Sequence, residues 1–306
     1  RVTSLAGTLI EEHFTVDPVN FPVDHHDYVE LPNGGRAMLS FPLVRNQDLR
    51  VLGPGYNIND SIAEVWVQEI NAQGQLVWDF KVGDHFDYRE STFPVRFGLY
   101  PNEPNGGEVG VWHINSLDDV NDGSGDYVLS GRHLDAVFRV DRATEDVEWI
   151  LGSLPVTTPN KSGAPRLRIV NDPFNGVRRP HDARLNGDVL TVFDNRTAMG
   201  QPARAVAYRI DAVAGTATML WQIQNPTGLS SPGLGVNRVG PDGSVLVDWG
   251  GGLQPMFQEF TAAGVPMMTI AQVGGGASYR IVKEPSASFN ATQLRATAGG
   301  AVEAPT

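Results

Sequence analysis

Cysteine is missing from the 306-residue chain altogether. That removes disulfides, thiolate nucleophiles and cysteine zinc sites together. No run approaches the roughly 20 apolar residues that a membrane-spanning helix needs, so no membrane span is expected. Positive charge is scarce: 23 Lys and Arg stand against 35 Asp and Glu, a net charge of −12. Nucleic acid is therefore not expected as a partner, because polyanion affinity comes mostly from basic residues. Taken globally, the same balance also speaks against an anionic substrate. The Gly-x-Ser-x-Gly elbow, the phosphate-binding P-loop and the Gly-x-Gly-x-x-Gly fingerprint are all lacking. So is helical periodicity. The chain begins at Arg1 without an apolar leader, from which a targeting segment already removed is expected. Sequons beginning at Asn59, Asn160, Asn195 and Asn290 fit a secreted or periplasmic protein.

What is present is a repeat. Thirty-four Gly and 21 Pro punctuate short alternating or apolar runs, the pattern of an all-β chain. One half-unit is a polar residue, a strand, a turn and a second strand. It begins at His26, His113, His181 and Asn237, with turns at Asn33-Gly34, Asp122-Gly123, Asn186-Gly187 and Asp242-Gly243. The other half-unit is a strand, a turn and a strand ending in tryptophan. Trp78, Trp149 and Trp221 close three copies, 71 and 72 residues apart, and a fourth copy at 257–270 lacks the Trp. Four strands per repeat, repeated radially, predict a single β-propeller over residues 1–306, with five or six four-stranded blades. Residues 1–16 and 277–295 are expected to form a composite blade that closes the ring and leaves no bare edge. A sixth blade has room within 40–62 or 84–112. The tryptophans are expected to pack between blades.

Equivalent positions of a radial repeat point at one axis. His26, His113, His181 and Asn237 should therefore converge at one end of the channel, and Asn115 shares the strand face of His113. Arg132 and His133 follow in the adjoining strand, with Arg178 and Arg179 nearby. Much of the acid falls instead in turns and outer strands (Asp122, Glu145, Asp146, Glu148), so the local field at the channel mouth is expected to be positive despite the net charge. A lone His-Asp pair is most often a turn hydrogen bond, but three converging His with an Arg are costly to bury without a ligand. Neutral imidazole attacks phosphorus or sulfur well, and Arg clamps tetrahedral oxyanions, so the set suits phosphoryl or sulfuryl transfer. Two alternatives stay open: a metal-dependent hydrolase or lyase, since three imidazoles also make a catalytic zinc set, and a propeller that binds without catalysis.

The ordered series Trp112-His113-Ile114-Asn115-Ser116, Ser130-Gly131-Arg132-His133-Leu134-Asp135, Trp149-Ile150-Leu151-Gly152, His181-Asp182-Ala183, Phe193-Asp194-Asn195 and Asp248-Trp249-Gly250-Gly251 resembles the arylsulfate sulfotransferases and their shorter arylsulfotransferase-like relatives. It runs over roughly residues 24–280. The resemblance implies a six-bladed propeller. It also implies a reaction independent of 3′-phosphoadenosine-5′-phosphosulfate: sulfuryl transfer from a phenolic sulfate ester to a phenol acceptor through a sulfohistidine, with no cofactor. By the same resemblance His181 matches the nucleophile, His113 and Asn115 the His-x-Asn pair, Arg132 the family's Arg, and His26 the remaining active-site His. Asn195, Asn237, His133 and Arg179 are candidate substrate-binding residues. Phe93, Phe97, Tyr100 and Phe174 lie in the long loops as aromatic candidates. Set against the larger members, this chain is expected to be without their additional N-terminal domain; it has no cysteine pair, and it carries Arg196 where Gly is usual.

Overall fold

The computed structural model describes residues 2–3, 9–17, 21–120, 122–152, 160–271 and 276–283. Four of its sheets follow the repeat strand by strand. The first holds Tyr28–Glu30, Arg36–Ser40, Trp66–Ile70 and Leu76–Lys81. The second holds Ile114–Asp119, Tyr127–Gly131, Ala136–Val140 and Val147–Gly152. The third holds His181–Asn186, Val189–Asp194, Arg204–Asp211 and Thr216–Gln224, with Arg168–Val170 added in parallel at its outer edge. The fourth holds Val236–Val239, Val245–Asp248, Phe257–Phe260 and Pro266–Ile270. Each is antiparallel between consecutive repeat strands. Hairpin turns supply the local reason: Gly34 sits at φ +79° and Gly243 at φ +78°, a region that L side chains rarely adopt.

The fifth sheet departs from the repeat. Leu43–Gln47, Asp60–Ala63, Val109–Gly110 and Val95–Arg96 pair in that spatial order. Both segments with room for a sixth blade are thus used in one sheet, joined where Val109 pairs in parallel with Ile62. Val2–Thr3 and Leu9–Glu11 form a two-stranded ribbon. Of the expected composite blade, 277–283 carry no strand, and 284–295 lie outside the described residues, as does the sequon at Asn290.

Consecutive repeat sheets pack side by side near their first strands: Ile114–Asp119 against Tyr28–Glu30, His181–Asn186 against Ile114–Asp119, and Val236–Val239 against both His181–Asn186 and the second strand Val189–Asp194. The apolar core runs between the sheets. One cluster spans the first, second and fifth sheets, a second joins Trp149 and Val137 to Ala183 and Tyr208, and a third joins Phe193 and Ala205 to Val247 and Trp249. The tryptophans sit at these seams, Trp78 with its ring 5.1 Å from that of Tyr127 in the next sheet. Aromatic burial of this kind supplies about 1.5–3 kcal/mol per side chain.

At the innermost strands the sheets are joined by charge. Arg184 donates to Asp27 at 2.6 Å, to Asp182 at 3.0 Å and to the Leu117 carbonyl at 2.6 Å. Arg238 reaches Asp182 at 2.7 Å, and Arg280, from the segment after the fourth sheet, reaches Asp27 at 2.7 Å. Burial disfavours the Arg184 charge, but Asp182, Asp27 and Asp118 more than offset it and raise its pKa. Arg184→Ala leaves Asp27 and Asp182 short of a buried counter-charge. The expected loss is about 3–5 kcal/mol of stability, read as a lowered urea midpoint with little change in slope.

Candidate functional site

Two strand starts present the central histidines. His113 immediately precedes Ile114–Asp119, and His181 opens His181–Asn186. Both strands carry a register irregularity in their first residues, between Ile114 and Ser116 and between His181 and Arg184. Such a bulge bends the strand and re-aims its first side chains. His113 (φ +47°), Arg179 (φ +56°) and Asp182 (φ +50°) also sit in the left-handed region, a cost of about 1–3 kcal/mol each that the surrounding structure must overrule.

Other elements hold the Arg178–His181 run. The Arg178 and Arg179 backbone N–H groups donate to Asp194 and Asp135, each at 2.8 Å. Asn115 donates its side-chain amide to the Pro180 carbonyl at 2.8 Å. His181 Nδ1 lies 2.7 Å from Asn195 Oδ1, while its Nε2 receives the Leu234 backbone N–H at 3.2 Å. Asn195 in turn donates to the Leu234 carbonyl at 2.8 Å. Since Nε2 accepts, the proton sits on Nδ1 and bonds to Asn195. The ring is neutral, with its Nε2 lone pair on the Leu234 N–H. Burial, reinforced by the charge of Arg132, pushes His181 down to about 3 against the pull of Asn195.

Arg132 reaches the same stretch of chain. One of its Nη atoms donates to Pro232 O at 3.0 Å and the other meets His133 Nε2 at 2.9 Å. His133 Nδ1 donates to Gly110 O at 2.7 Å, which leaves its Nε2 as the acceptor for the guanidinium. The imidazole of His181 and the guanidinium of Arg132 therefore both hang on residues 232–234. Arg132 has no ion pair among the described residues, and burial together with the charge of Arg179 brings it down to about 10. By contrast, Arg178 and Arg179 share Asp135. Phe93 lies beneath both Arg179, at 4.3 Å, and Arg132, at 5.5 Å.

His26 Nε2 is 3.0 Å from His113 Nε2. On its other side His26 Nδ1 bonds to Asp24 Oδ1. Burial disfavours the Asp24 carboxylate, yet hydrogen bonds from His25 and His26 hold it well below the usual range. His113 Nδ1 is buried without a hydrogen-bond partner, and burial with the charges of His133 and His26 keeps His113 neutral, far below its ordinary pKa. Phe97 packs on His113 at 5.1 Å and His133 at 5.7 Å. Gly110 makes room for it, because a Cβ there would lie 2.0 Å from the Phe97 ring.

The structure thus brings His26, His113, His133, Arg132, Arg179, His181 and Asn195 into one connected group, joined by Asn115 through Pro180. Asn237 is spent elsewhere: its side-chain amide donates to Val192 O and Val206 O at 3.1 Å each. Among the aromatic candidates, Phe174 packs under Arg196 and Arg204, and the Tyr100 hydroxyl bonds to Phe41 O at 3.1 Å. Asn195 is fully buried, which sets its sequon inside the fold. Asp24 precedes the repeated strands, and Tyr279, whose ring lies 5.8 Å from that of His26, falls in the segment expected only to close the ring, so repeat reasoning assigned neither to the site. Among the described residues, Asp24, His25 and His26 bring three ligand atoms within 4.8 Å of one another, and His26, His113 and His181 do not form such a set.

The Arylsulfotransferase (ASST) family model matches residues 2–272. No curated protein matches the chain. Among solved structures, one of a protein of unknown function from Bacteroides caccae is 9% identical with a TM-score of 0.41, covering 79% of this chain and 65% of its own. A proposed 6-phosphogluconolactonase from Bacteroides fragilis is 11% identical, TM-score 0.39, with coverages of 87% and 73%. Apo AztD from Citrobacter koseri is 12% identical, TM-score 0.31, with coverages of 90% and 68%. This chain therefore spans just under two thirds of the first of these.

The buried histidines set a pH dependence. His133 and His181 are neutral when folded, both pushed down to about 3, burial first in each case with the charge of Arg132 adding to it, whereas the unfolded chain protonates near 6.5. Stability is therefore expected to fall with pH below about 6.5, by about 1 kcal/mol per unit for each such histidine. Urea midpoints between pH 7 and 5 check this, and His181→Asn should flatten the slope.

Proposed function

The chain belongs to the arylsulfotransferase family, and from that premise we propose that it moves a sulfuryl group from a phenolic sulfate ester to a phenol acceptor through a sulfohistidine on His181. The observation that carries this reading is the pairing of a neutral, tautomer-fixed imidazole with a half-buried guanidinium that has no carboxylate partner among the described residues. A half-buried Arg that has lost part of its hydration and has no carboxylate beside it favours a bound anion. A sulfate ester does so, since its oxygens match the planar fork.

In the first half-reaction His181 Nε2 displaces the Leu234 N–H and attacks sulfur. The S–O bond to the aryl oxygen breaks and a phenolate leaves. Arg132 and the freed Leu234 N–H then hold the sulfuryl oxygens, where donors set in advance count most. Asn195 keeps its bond to Nδ1–H and stabilises the charge that the ring gains. In the second half-reaction an acceptor phenoxide attacks the same sulfur, and the N–S bond returns its electron pair to His181. The Phe93 and Phe97 rings beside Arg132 and His113 suit the aryl group. Asn115 acts here through Pro180, by holding the Arg-Pro-His run in place. We further read the packed inner strands, with Arg280 returning to Asp27, as one closed propeller whose channel mouth carries this group.

Incubation with an aryl sulfate in the absence of acceptor is expected to add one sulfuryl group to His181, located by peptide mass spectrometry. His181→Ala should give neither adduct nor phenol release; an unmodified wild-type protein after a range of donors overturns the reading. Arg132→Lys keeps a charge but loses the planar fork. It is expected to lower kcat by about 10²–10³, the range found when one transition-state donor is lost, while the His181 adduct still forms slowly.

A further inference from the structure

Asp24, His26 and His113 form a line that the reaction above has not used. Asp24 Oδ1 accepts from His26 twice, from the backbone N–H at 2.8 Å and from the ring Nδ1. The ring is thereby fixed in both position and tautomer. At its far edge His26 Nε2 meets His113 Nε2 at 3.0 Å. Two ring nitrogens facing each other share one proton, so one is a donor and the other an acceptor. His113 then has a single ring nitrogen left, Nδ1, which is buried and has no partner. Phe41, Phe97 and Tyr279 pack their rings around the pair. This leaves little water to compete for its protons.

Resting on the sulfuryl-transfer reading, we propose that Asp24 is a positioning residue that loads the His26–His113 pair with the proton taken by the leaving phenolate, and so fits the enzyme to sulfate esters of weakly acidic phenols. To supply that proton the pair enters the cycle with one hydrogen more than two neutral rings carry: His26 Nδ1–H on Asp24, His26 Nε2–H on His113 Nε2, and a hydrogen on His113 Nδ1. As the S–O bond breaks, the His113 Nδ1 proton passes to the aryl oxygen and the His26 Nε2 proton moves to His113 Nε2. One proton leaves the pair, and His26 ends neutral with its Nδ1–H still on Asp24. The acceptor phenol returns that proton along the same line when it attacks the sulfohistidine.

A nitrophenolate leaves without protonation, whereas a methoxyphenolate needs it. Single-turnover sulfation of His181 should therefore be compared across aryl sulfates of rising phenol pKa. For the wild type a shallow dependence on leaving-group pKa is expected. Asp24→Asn should lose about tenfold or less with nitrophenyl sulfate and about 10²–10³ with methoxyphenyl sulfate, within the range of general-acid catalysis. Asp24→Glu, which restores the carboxylate, should recover the shallow dependence. An equal loss across all donors, or no loss with any, overturns the proposal while leaving the His181 nucleophile standing. Activity that is lost on chelation and restored by zinc also overturns it, because Asp24 and His26 would then be ligands. A wild-type protein that forms no His181 adduct with any donor instead removes the reading on which the proposal rests.

Discussion

Among the described residues, neighbouring repeat sheets share no backbone ladder at their innermost strands, and aspartate carboxylates take its place. Asp27 accepts the Leu117 backbone N–H at 2.9 Å, Asp118 accepts that of Leu185 at 2.8 Å, and Asp182 accepts that of Asn237 at 3.1 Å. Each bond crosses from one sheet to the next. Three carboxylates so placed would repel one another in a dry interior, and Arg184, with Arg238 and Arg280, makes the arrangement tolerable. Such a network adds little net stability over an apolar core, but breaking it is expensive. Its value here is positional, since it sets where each inner strand begins.

That position governs the chemistry. Asp182 joins two sheets, and the residue before it is His181. The carboxylate that anchors the strand also carries the left-handed backbone that turns the imidazole toward residues 232–234. A parallel division holds one sheet earlier, where His113 stands at positive φ ahead of Asn115, whose amide pins Pro180. Burial then does two opposite things. It keeps His113, His133 and His181 neutral, the state that the proposed nucleophile and proton carriers need, and it leaves Arg132 half-buried with no ion pair among the described residues. The two effects together favour a bound anion, even though the chain carries an excess of acid.

Four sheets were legible in the sequence because a hairpin is a local object. Its strands lie within about twenty residues, the turn glycines mark its tip, and alternation marks its faces. The histidines were legible for the same reason, as equivalent points of a repeat. The fifth sheet was not. Its central contact, Val109 beside Ile62, is a parallel pairing between two separate insertions, and no short-range pattern announces such a pairing. Asn237 shows the limit from the other side: it occupies the repeat position of the histidines, yet its amide serves third-sheet carbonyls. Repetition locates a side chain along a strand. It does not say which donor the side chain will find.

The sequence by itself determined the all-β class, the four repeats, the family and the residues His26, His113, Arg132 and His181, because these depend on composition, period and motif order. Tertiary structure decided the neutral state of His113, His133 and His181, the partners of the site arginines and the hydrogen bonds made by Asp24, Asn195 and Leu234. Those properties depend on desolvation and on distances of about 3 Å between residues far apart in the chain, such as Leu234 and His181. Only the packed sheets bring them together.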